Sequence, residues 1–354
     1  MTLPRVSPAE AGLNQDHLDR AGDLLKQAID AGQISAASLT VSRHGSIGYA
    51  RGFGKEHPDR DAVHADSIFL LASISKPISV LALVQLIERG RVVLNDPVQT
   101  YLPGFVGEHK ERVLVRHLLS HTSGMPDMLP ENIELRQRHT PMSGFVDAAL
   151  KTPLLFEPET DFRYQSKGIL LASEIVDRAV GKPFRNILQE ELFGPLEMNR
   201  TALGLGGRAI DETVWCGADA EAEQSDYGPN SPYWRDAGHP WGGVHSTGPD
   251  LIRLLETMQQ GGGRLFSASA VREMTRDQNG SLRAPWGLGW GFRDSRVWAY
   301  FGDLCSARTF GHTGATGTVA WADPETGVCC AVLTNEMVEE VLRRVSNVVA
   351  SAVS

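Results

Sequence analysis

The chain has 354 residues and a mass of 38.5 kDa, more than one hydrophobic core usually holds, so we expect two subdomains or one large layered α/β body. Hydrophobic residues make up 42% and charged residues 22%, which excludes a collagen-like, mucin-like or wholly disordered chain. The 34 basic and 43 acidic residues give a formal charge of −9. Because phosphate binding needs a positive field, neither nucleic acid nor an anionic membrane is an expected partner.

The cysteines and the first residues of the chain indicate the cellular compartment. Four cysteines, at positions 216, 305, 329 and 330, are too few and too irregularly spaced for a disulfide framework or a Cys-x-x-Cys zinc site. The first residues lack a basic stretch followed by an apolar one, and no apolar run reaches the ~20 residues of a membrane helix. We therefore expect a cytoplasmic protein.

Strand patterns occur near both ends of the chain. An N-terminal amphipathic helix over residues 18–28 is followed by a predicted hairpin with strands over 37–42 and 47–52. A second hairpin is predicted over 318–322 and 328–333, and a final helix over 338–349. The two ends of the chain are therefore predicted to build one antiparallel sheet.

Helical periodicity dominates the middle of the chain. The segment from Lys76 to Gly90 is apolar on nearly every side, so its helix must be buried all round. Further helices are predicted over residues 113–119, 142–150, 169–180, 251–258 and 267–274. The expected fold is α/β (α+β): an antiparallel sheet flanked by helices from residues 1–67 and 236–354, with a mainly helical subdomain of residues 68–235 inserted and a cleft at the seam.

The first candidate for chemistry is Ser73-Ile-Ser-Lys76, at the head of the buried helix. A spacing of three places the hydroxyl and the amine on one helical face. The helix dipole favours a developing oxyanion there, and burial lowers the pKa of a lysine toward that of a general base. By chance alone, Ser-x-x-Lys occurs in roughly one chain in two of this composition. The position of the motif, and not its presence, gives it weight.

Two further elements could complete such a site. Tyr164-Gln-Ser166 precedes the helix predicted from residue 169, and a phenol there could relay a proton if a nearby cation stabilises its anion. Gly311-His312-Thr-Gly314 leads into a strand expected from about residue 316, where the amide of Ala315 would face a docked carbonyl. Taken singly, Tyr164 is more often expected to be a packing tyrosine, and His312 a turn histidine, than a site residue.

In this order, Ser-x-x-Lys, Tyr-x-Ser and His-Thr-Gly resemble the serine β-lactamase and penicillin-recognising superfamily. The resemblance is greatest to its class C-like branch, which includes family VIII carboxylesterases, D-aminopeptidases, D-alanyl-D-alanine peptidases and mitochondrial lactamase-like proteins. Four other stretches are similar to the same branch: residues 115–124, 192–198, 242–247 and 286–291. The resemblance therefore covers the chain from about residue 69 to residue 333.

The resemblance implies a role for each matching residue. Ser73 corresponds to the acylated nucleophile, Lys76 to its base and Tyr164 to the proton relay, while the amides of Ser73 and Ala315 correspond to the oxyanion hole. Gly314 belongs to the same substrate-binding edge.

Two departures from the family pattern concern substrate binding. Ser166 stands where the branch usually has Asn, which shortens or removes an amide contact to the substrate. His312 stands where β-lactamases have Lys, and a mostly neutral imidazole attracts a carboxylate less than an ammonium does. Strong β-lactam hydrolysis is therefore disfavoured, whereas esters and amides remain possible substrates.

Other constellations are weaker. His117 and His121 have the spacing of two zinc ligands on a helix, but no His-Glu-x-x-His motif accompanies them, so structural roles are favoured about four to one. No Gly-x-Ser-x-Gly elbow, Gly-Lys-Ser/Thr phosphate loop or Gly-x-Gly-x-x-Gly follows a strand. The tryptophans at 215, 234 and 241 could wall an acyl pocket or belong to the core.

These observations lead to a serine hydrolase that forms an acyl-enzyme on Ser73 and needs no cofactor or metal. A small ester is the leading substrate, and a D-amino-acid amide or a β-lactam is the alternative. A non-catalytic binding or scaffold protein of the same fold is the alternative of another class. The expected partner is a small-molecule ester or amide, and the question of a homo-oligomer stays open.

Overall fold

The computed structural model describes residues 3–57, 62–218 and 220–353. Its strands are β1 (Ala36–Arg43), β2 (Ser46–Gly54), β3 (Phe69–Leu70), β4 (Ala202–Leu203), β5 (Val244–Ser246), β6 (Gly291–Phe292), β7 (Phe310–Gly314), β8 (Thr318–Asp323) and β9 (Val328–Thr334). Six of them form an antiparallel sheet in the order β2-β1-β9-β8-β7-β6, and the other three form a small sheet in the order β3-β5-β4.

The helices are α1 (Gln15–Asp30), α2 (Ser75–Glu88), α3 (Val115–Leu119), α4 (Asn132–Gln137), α5 (Met142–Lys151), α6 (Lys167–Val180), α7 (Phe184–Leu188), α8 (Ala220–Gln224), α9 (Pro232–Asp236), α10 (Gly248–Gln259), α11 (Ala268–Met274) and α12 (Glu339–Ala350). A short 3₁₀ turn, Ala72–Ile74, precedes α2 directly. No helix in the described ranges is long and apolar enough to cross a membrane.

The six-stranded sheet is covered on both faces. Strands β8 and β9 are buried along their whole length, since α1 and α12 pack on one face and α10 packs on the other. Cys329 joins the core cluster on the α10 side, whereas Cys330 joins the cluster on the α1 and α12 side. The alternation of side chains along a strand explains why these neighbours face opposite ways. All four cysteines are free and buried, as the sequence predicted.

The predicted fold class is confirmed: a mixed α/β architecture with an antiparallel sheet and flanking helices. Both predicted hairpins form, as β1-β2 and β8-β9, and the helices predicted for α2, α5, α6, α11 and α12 lie within two residues of their observed limits, while α1 begins three residues earlier than predicted. The three strands of the small sheet have only two or three residues each, too few for a period to be recognised. Its strand β5 pairs with β3 and β4 although it lies beyond residue 235. The boundaries at residues 67 and 235 stay a prediction.

One predicted strand was placed wrongly. We expected His312 before a strand that begins at about residue 316, but it lies within β7, opposite Ala320 of β8, and the turn follows at residues 315–317. The glycines of this segment suggested a turn. In the structure Gly311 instead allows close strand packing, because a Cβ there would lie 2.2 Å from Ala320 O.

The turn between β7 and β8 should be intolerant of any side chain at Gly317. Its φ is +85°, and a Cβ would lie 1.9 Å from Glu336 O. Gly207 has a similar φ of +83° but no atom within 4 Å of the added Cβ. We expect Gly207→Ala to lower the free energy of unfolding by ~1 kcal/mol from backbone strain alone, and Gly317→Ala by ~3 kcal/mol because the backbone must also move. Urea denaturation measures both, and equal losses would contradict the steric argument.

Candidate active site

Ser73 is presented by the 3₁₀ turn that leads into α2. The preceding residue, Ala72, has a φ of +47°, a left-handed conformation that a residue with a Cβ rarely adopts. Val244 N of β5 donates to Ser75 Oγ at 2.9 Å, and Thr318 Oγ1 of β8 donates to Leu71 O at 2.8 Å. The turn is thus tied to both sheets, which holds the Ser73 side chain in place at the start of the helix.

The structure brings Ser73 and Lys76 together as their spacing predicts. Lys76 Nζ lies 2.9 Å from Ser73 Oγ and donates to Trp241 O at 3.1 Å. Ser73 is 8% exposed and Lys76 only 1%. Burial lowers the pKa of Lys76 to about 7, and the negative charge of Asp127 limits the shift. A large fraction of this amine is therefore unprotonated at neutral pH and can accept the Ser73 proton.

Tyr164 lies next to the Lys76 amine, on the loop before α6. Lys76 Nζ is 4.7 Å from the centre of the Tyr164 ring, and Tyr164 Oη is 3.4 Å from His312 Nε2. Burial raises the pKa of Tyr164 well above its ordinary value, although a hydrogen bond with Ser73 opposes this shift. The expected amine lies nearby, but desolvation and the negative charge of Asp127 both raise the pKa of Tyr164. The resting form is a neutral phenol, which suits a proton donor better than a base.

His312 is a buried residue of β7. Its Nδ1 lies 2.7 Å from Thr313 O, and since a carbonyl only accepts, Nδ1 carries the hydrogen and Nε2 presents a lone pair to Tyr164. Burial, assisted by the charge of Lys76, lowers the pKa of His312 to about 3. The imidazole is thus neutral, as the sequence suggested, but it is held within a strand and is not a turn histidine.

The end of β7 passes very close to the nucleophile turn. A Cβ at Gly314 would lie 2.0 Å from Leu71 O, so only glycine allows this approach. Ala315 follows at the exposed start of the turn. The proximity of β7 to the Ala72–Ile74 turn is what an oxyanion hole shared by Ser73 and Ala315 requires, and that pairing stays a prediction.

Ser166 makes a contact that the sequence did not suggest. Its buried hydroxyl donates to Asp127 Oδ1 at 2.6 Å. The hydroxyl hydrogen is therefore already used, and a substrate could approach only an oxygen lone pair. The substrate-binding role of Ser166 stays a prediction, while Asp127 adds a carboxylate whose charge acts on Lys76 and Tyr164.

Several aromatic and basic residues near the site were missed. The His121 ring lies 4.7 Å from that of Tyr164 and 4.9 Å from that of Trp286. His117 has a structural role, as we expected: it caps α3, because its Nδ1 accepts from Leu114 N at 3.1 Å. Trp298 covers Tyr164 at a ring distance of 5.6 Å. The closeness in sequence of residues 286–291 to the His-Thr-Gly motif was the available signal that Trp286 lies near the site. No feature of the sequence around Trp298 gives such a signal.

Trp241 lines the site, because its carbonyl oxygen accepts from Lys76, whereas Trp234 stacks on His239 at 4.2 Å. Lys167, directly after the Tyr-x-Ser motif, is fully buried. Its position directly after the Tyr-x-Ser motif could have drawn attention to Lys167. The sequence around a single lysine, however, does not show that its amine will be buried. Within the described residues, no group of three His, Cys, Asp or Glu side chains could hold a metal ion.

Comparison with known proteins identifies the family. The family described as Beta-lactamase matches residues 21–353. The chain belongs to this family. Its members are serine hydrolases, so the prediction of a serine hydrolase is confirmed, and the resemblance drawn from the three motifs is correct.

Relatives of this beta-lactamase family differ in their described activities. A protein of Escherichia coli O157:H7 named "Putative D-alanyl-D-alanine carboxypeptidase" is 25% identical over 94% of this chain and 86% of its own length. A family VIII carboxylesterase has a TM-score of 0.77 at 20% identity, covering 96% of this chain and 99% of that one. The D-amino acid amidase of Ochrobactrum anthropi SV3 has a TM-score of 0.74 at 20% identity, covering 96% and 98%. At this identity the two structures establish the fold alone.

The reactivity of Ser73 should follow the protonation of Lys76. Since the pKa of Lys76 is lowered to about 7 and only the neutral amine is a base, we expect the rate constant for acylation of Ser73 by p-nitrophenyl acetate to fall below pH 7, approaching tenfold per pH unit. Stopped-flow measurement of p-nitrophenol release between pH 5 and 9 tests this. Lys76→Arg, which keeps the charge but cannot deprotonate, should lose at least 100-fold at every pH. A rate independent of pH between 5 and 8 would contradict the assignment.

Proposed function

We propose that this beta-lactamase-family protein is a carboxylesterase that hydrolyses small esters through an acyl-enzyme on Ser73. The observation that carries the proposal is the 2.9 Å contact between Ser73 Oγ and the buried amine of Lys76. A serine hydroxyl is a weak nucleophile unless an adjacent base takes its proton. Here the base is supplied within one turn, and burial keeps it partly unprotonated.

Acylation uses the groups around Ser73 in turn. Lys76 takes the Ser73 proton as Oγ bonds to the ester carbonyl carbon, and the carbonyl oxygen becomes an oxyanion that the amides of Ser73 and Ala315 stabilise. As the intermediate collapses, the bond to the alkoxide breaks and Tyr164 donates its proton to that oxygen. The protonated Lys76, 4.7 Å from the phenol ring, then returns a proton to Tyr164. Each group ends in its starting charge state, and the acyl group remains on Ser73.

Deacylation repeats these steps with water. Lys76 takes a proton as the water oxygen attacks the acyl carbon, the same two amides stabilise the oxyanion, and the Ser73–acyl bond breaks with a proton returned to Oγ. Tyr164 can deliver this proton, because its raised pKa keeps it protonated. The protonated Lys76 then returns a proton to Tyr164, so both groups regain their starting charge. The products are a carboxylic acid and free Ser73.

The surroundings of the nucleophile favour an ester over a β-lactam. His312 occupies the position of a carboxylate-binding cation but is neutral, because burial lowers its pKa to about 3. A β-lactam or a peptide C-terminus would bring a carboxylate without a fixed partner there. An ester needs no such anchor. Ser73 is 8% exposed, and Trp286 and Trp298 pack against Tyr164, which supports a small acyl group.

A D-amino-acid amide is the second candidate, and Asp127 favours it. This half-buried carboxylate accepts from Ser166 at 2.6 Å and acts on Lys76 and Tyr164, so it could attract the ammonium group of an amino-acid substrate. A scaffold role without turnover has less support, because it gives no reason to bury an amine beside Ser73. We also propose a cytoplasmic location, which agrees with the four free, buried cysteines.

A substrate panel tests the proposed reaction. Wild type, Ser73→Ala and Ser173→Ala are compared on p-nitrophenyl acetate, butyrate and octanoate, on a chromogenic cephalosporin and on D-alanine p-nitroanilide. Ser173 is a buried serine of α6 whose hydroxyl donates to Leu170 O, which makes it a matched control. We expect the acetate and butyrate to be hydrolysed fastest, a loss of at least 10³-fold in kcat/KM with Ser73→Ala, and a change below threefold with Ser173→Ala.

Other outcomes of the same panel have defined meanings. Faster turnover of the D-alanine anilide than of either short ester would replace the esterase by the amidase. Hydrolysis that survives in Ser73→Ala would refute the assignment of Ser73 as the nucleophile. If no substrate is turned over and mass spectrometry finds no adduct on Ser73 after exposure to a fluorophosphonate, the scaffold reading stands.

A further inference from the structure

A second lysine lies buried beside the candidate active site. Lys167, the first residue of α6, is fully buried, and its Nζ has no hydrogen-bond partner within the described residues. The amine lies 3.6 Å from the centre of a Trp241 ring and 5.7 Å from that of Phe145. Trp241 is the residue whose carbonyl accepts from Lys76 Nζ at 3.1 Å. One tryptophan therefore contacts both lysines, through its ring and through its backbone.

The two lysines also share a carboxylate. Asp127 opposes the lowering of the pKa of Lys76 and of Lys167, which burial brings to about 7 in each case. The charges of Lys76 and Arg136 lower the pKa of Lys167 further. Two amines that titrate in the same range beside one carboxylate are coupled, so the protonation of one disfavours that of the other.

Packing alone does not explain an amine at position 167. A buried amine without a hydrogen-bond acceptor destabilises the folded state, and the cation–π contact with Trp241 recovers only part of that cost. Methionine would fill a similar volume against the same rings without the free-energy cost of burying an amine. The position therefore carries a group that is unfavourable for folding, next to the amine that activates Ser73, as polar groups with a functional role often are.

We propose that Lys167 is a positioning residue for the acyl-transfer reaction: it holds the Trp241 ring, and so the carbonyl that orients Lys76, and its charge competes with that of Lys76 for Asp127. This inference rests on the proposed function, since it concerns the same nucleophile. It adds that the base is controlled by a second amine that does not contact Ser73.

Other buried groups with shifted pKa values lie around the two amines. Around Lys76 these are His121, His312 and Tyr164; burial lowers the pKa of His121 well below its ordinary value and that of His312 to about 3, and it raises the pKa of Tyr164 well above its ordinary value. His239, which faces both lysines, has a pKa well below its ordinary value for the same reason. Each of these shifts moves the pKa away from about 7, the value to which burial brings Lys76 and Lys167.

The sign of the effect follows from the repulsion between the amines. A charged Lys167 disfavours a proton on Lys76, so Lys76 becomes a free base at a lower pH than it would beside Asp127 alone. Without the Lys167 charge, the attraction of Asp127 is unopposed and the pKa of Lys76 rises. The acid limb of the pH profile of kcat/KM, where the rate falls because Lys76 becomes protonated, should then move to higher pH.

The experiment measures kcat/KM for p-nitrophenyl acetate from pH 5 to 9. Lys167→Met and Lys167→Gln remove the charge, and we expect each to move the acid limb upward by about one pH unit, with about a tenfold loss at pH 6 and a smaller loss at pH 9. Lys167→Arg keeps a cation on the Trp241 ring and should restore the acid limb to within 0.3 units of wild type.

Lys110→Met is the matched control. Lys110 is also a buried lysine, its amine lies 4.6 Å from the centre of the Phe105 ring, and burial lowers its pKa to about 8. Its Nζ donates to Leu150 O at 2.7 Å, so it should affect stability without moving the acid limb. A purely structural role for Lys167 would reduce kcat/KM equally at all pH values, as misfolding does.

A substrate-free measurement separates this inference from the proposed function. The ¹³Cε signals of labelled lysine are titrated by NMR in wild type and in Lys167→Met, with Lys76 assigned from Lys76→Arg. We expect the Lys76 titration to move upward by the same amount as the acid limb. An unchanged Lys76 titration, or an acid limb that stays in place in both Met and Gln variants, would overturn the role of Lys167. If wild type turns over no ester but the Lys76 titration still moves between wild type and Lys167→Met, the proposed function alone is refuted.

Discussion

The burial of one amine against one hydroxyl is the constraint on which the rest of this structure depends. An ammonium loses hydration free energy when apolar side chains surround it, and the protein responds by favouring the neutral amine. At Lys76 that response produces a base 2.9 Å from Ser73 Oγ. The apolar character of α2 on all sides, which first suggests only a core helix, is therefore also what lowers the pKa of the lysine in its first turn.

The same loss of water sets the charge state of the neighbouring groups. The phenol of Tyr164 and the imidazole of His312 both remain neutral, and Asp127 provides a nearby carboxylate. A site with a neutral acid, a neutral imidazole and a partly neutral base carries little net positive charge. Such a site suits a substrate that reacts at an uncharged carbonyl, and it offers little to a substrate that must be anchored through a carboxylate.

The fold brings these groups together from distant parts of the chain. Ser73 lies in the 3₁₀ turn before α2, Lys76 lies in the first turn of α2, Tyr164 precedes α6, and His312 lies on β7 near the far end of the sequence. Their meeting depends on contacts that tolerate no added atoms, such as the approach of Gly314 to Leu71 O. The hydroxyls of Thr316 and Thr318 donate to the carbonyls of Leu70 and Leu71, so the turn after β7 and the start of β8 also hold the segment that leads to Ser73.

The sequence by itself determined the elements whose signals are local. The long buried helix α2, both hairpins, the pairing of Ser73 with Lys76 and the family followed from periodicity, turn residues and motif order. Tertiary structure alone decided that His312 lies within a strand, that Ser166 donates to Asp127, and that Lys167 and His121 lie beside Tyr164 and Lys76. Periodicity reports which face of an element is apolar, but burial of a particular polar group depends on what packs on it from remote segments. The all-apolar helix therefore indicated a lowered pKa for Lys76, whereas the raised pKa of Tyr164 and the lowered pKa of Lys167 arise from burial by remote segments, which no spacing of residues reveals.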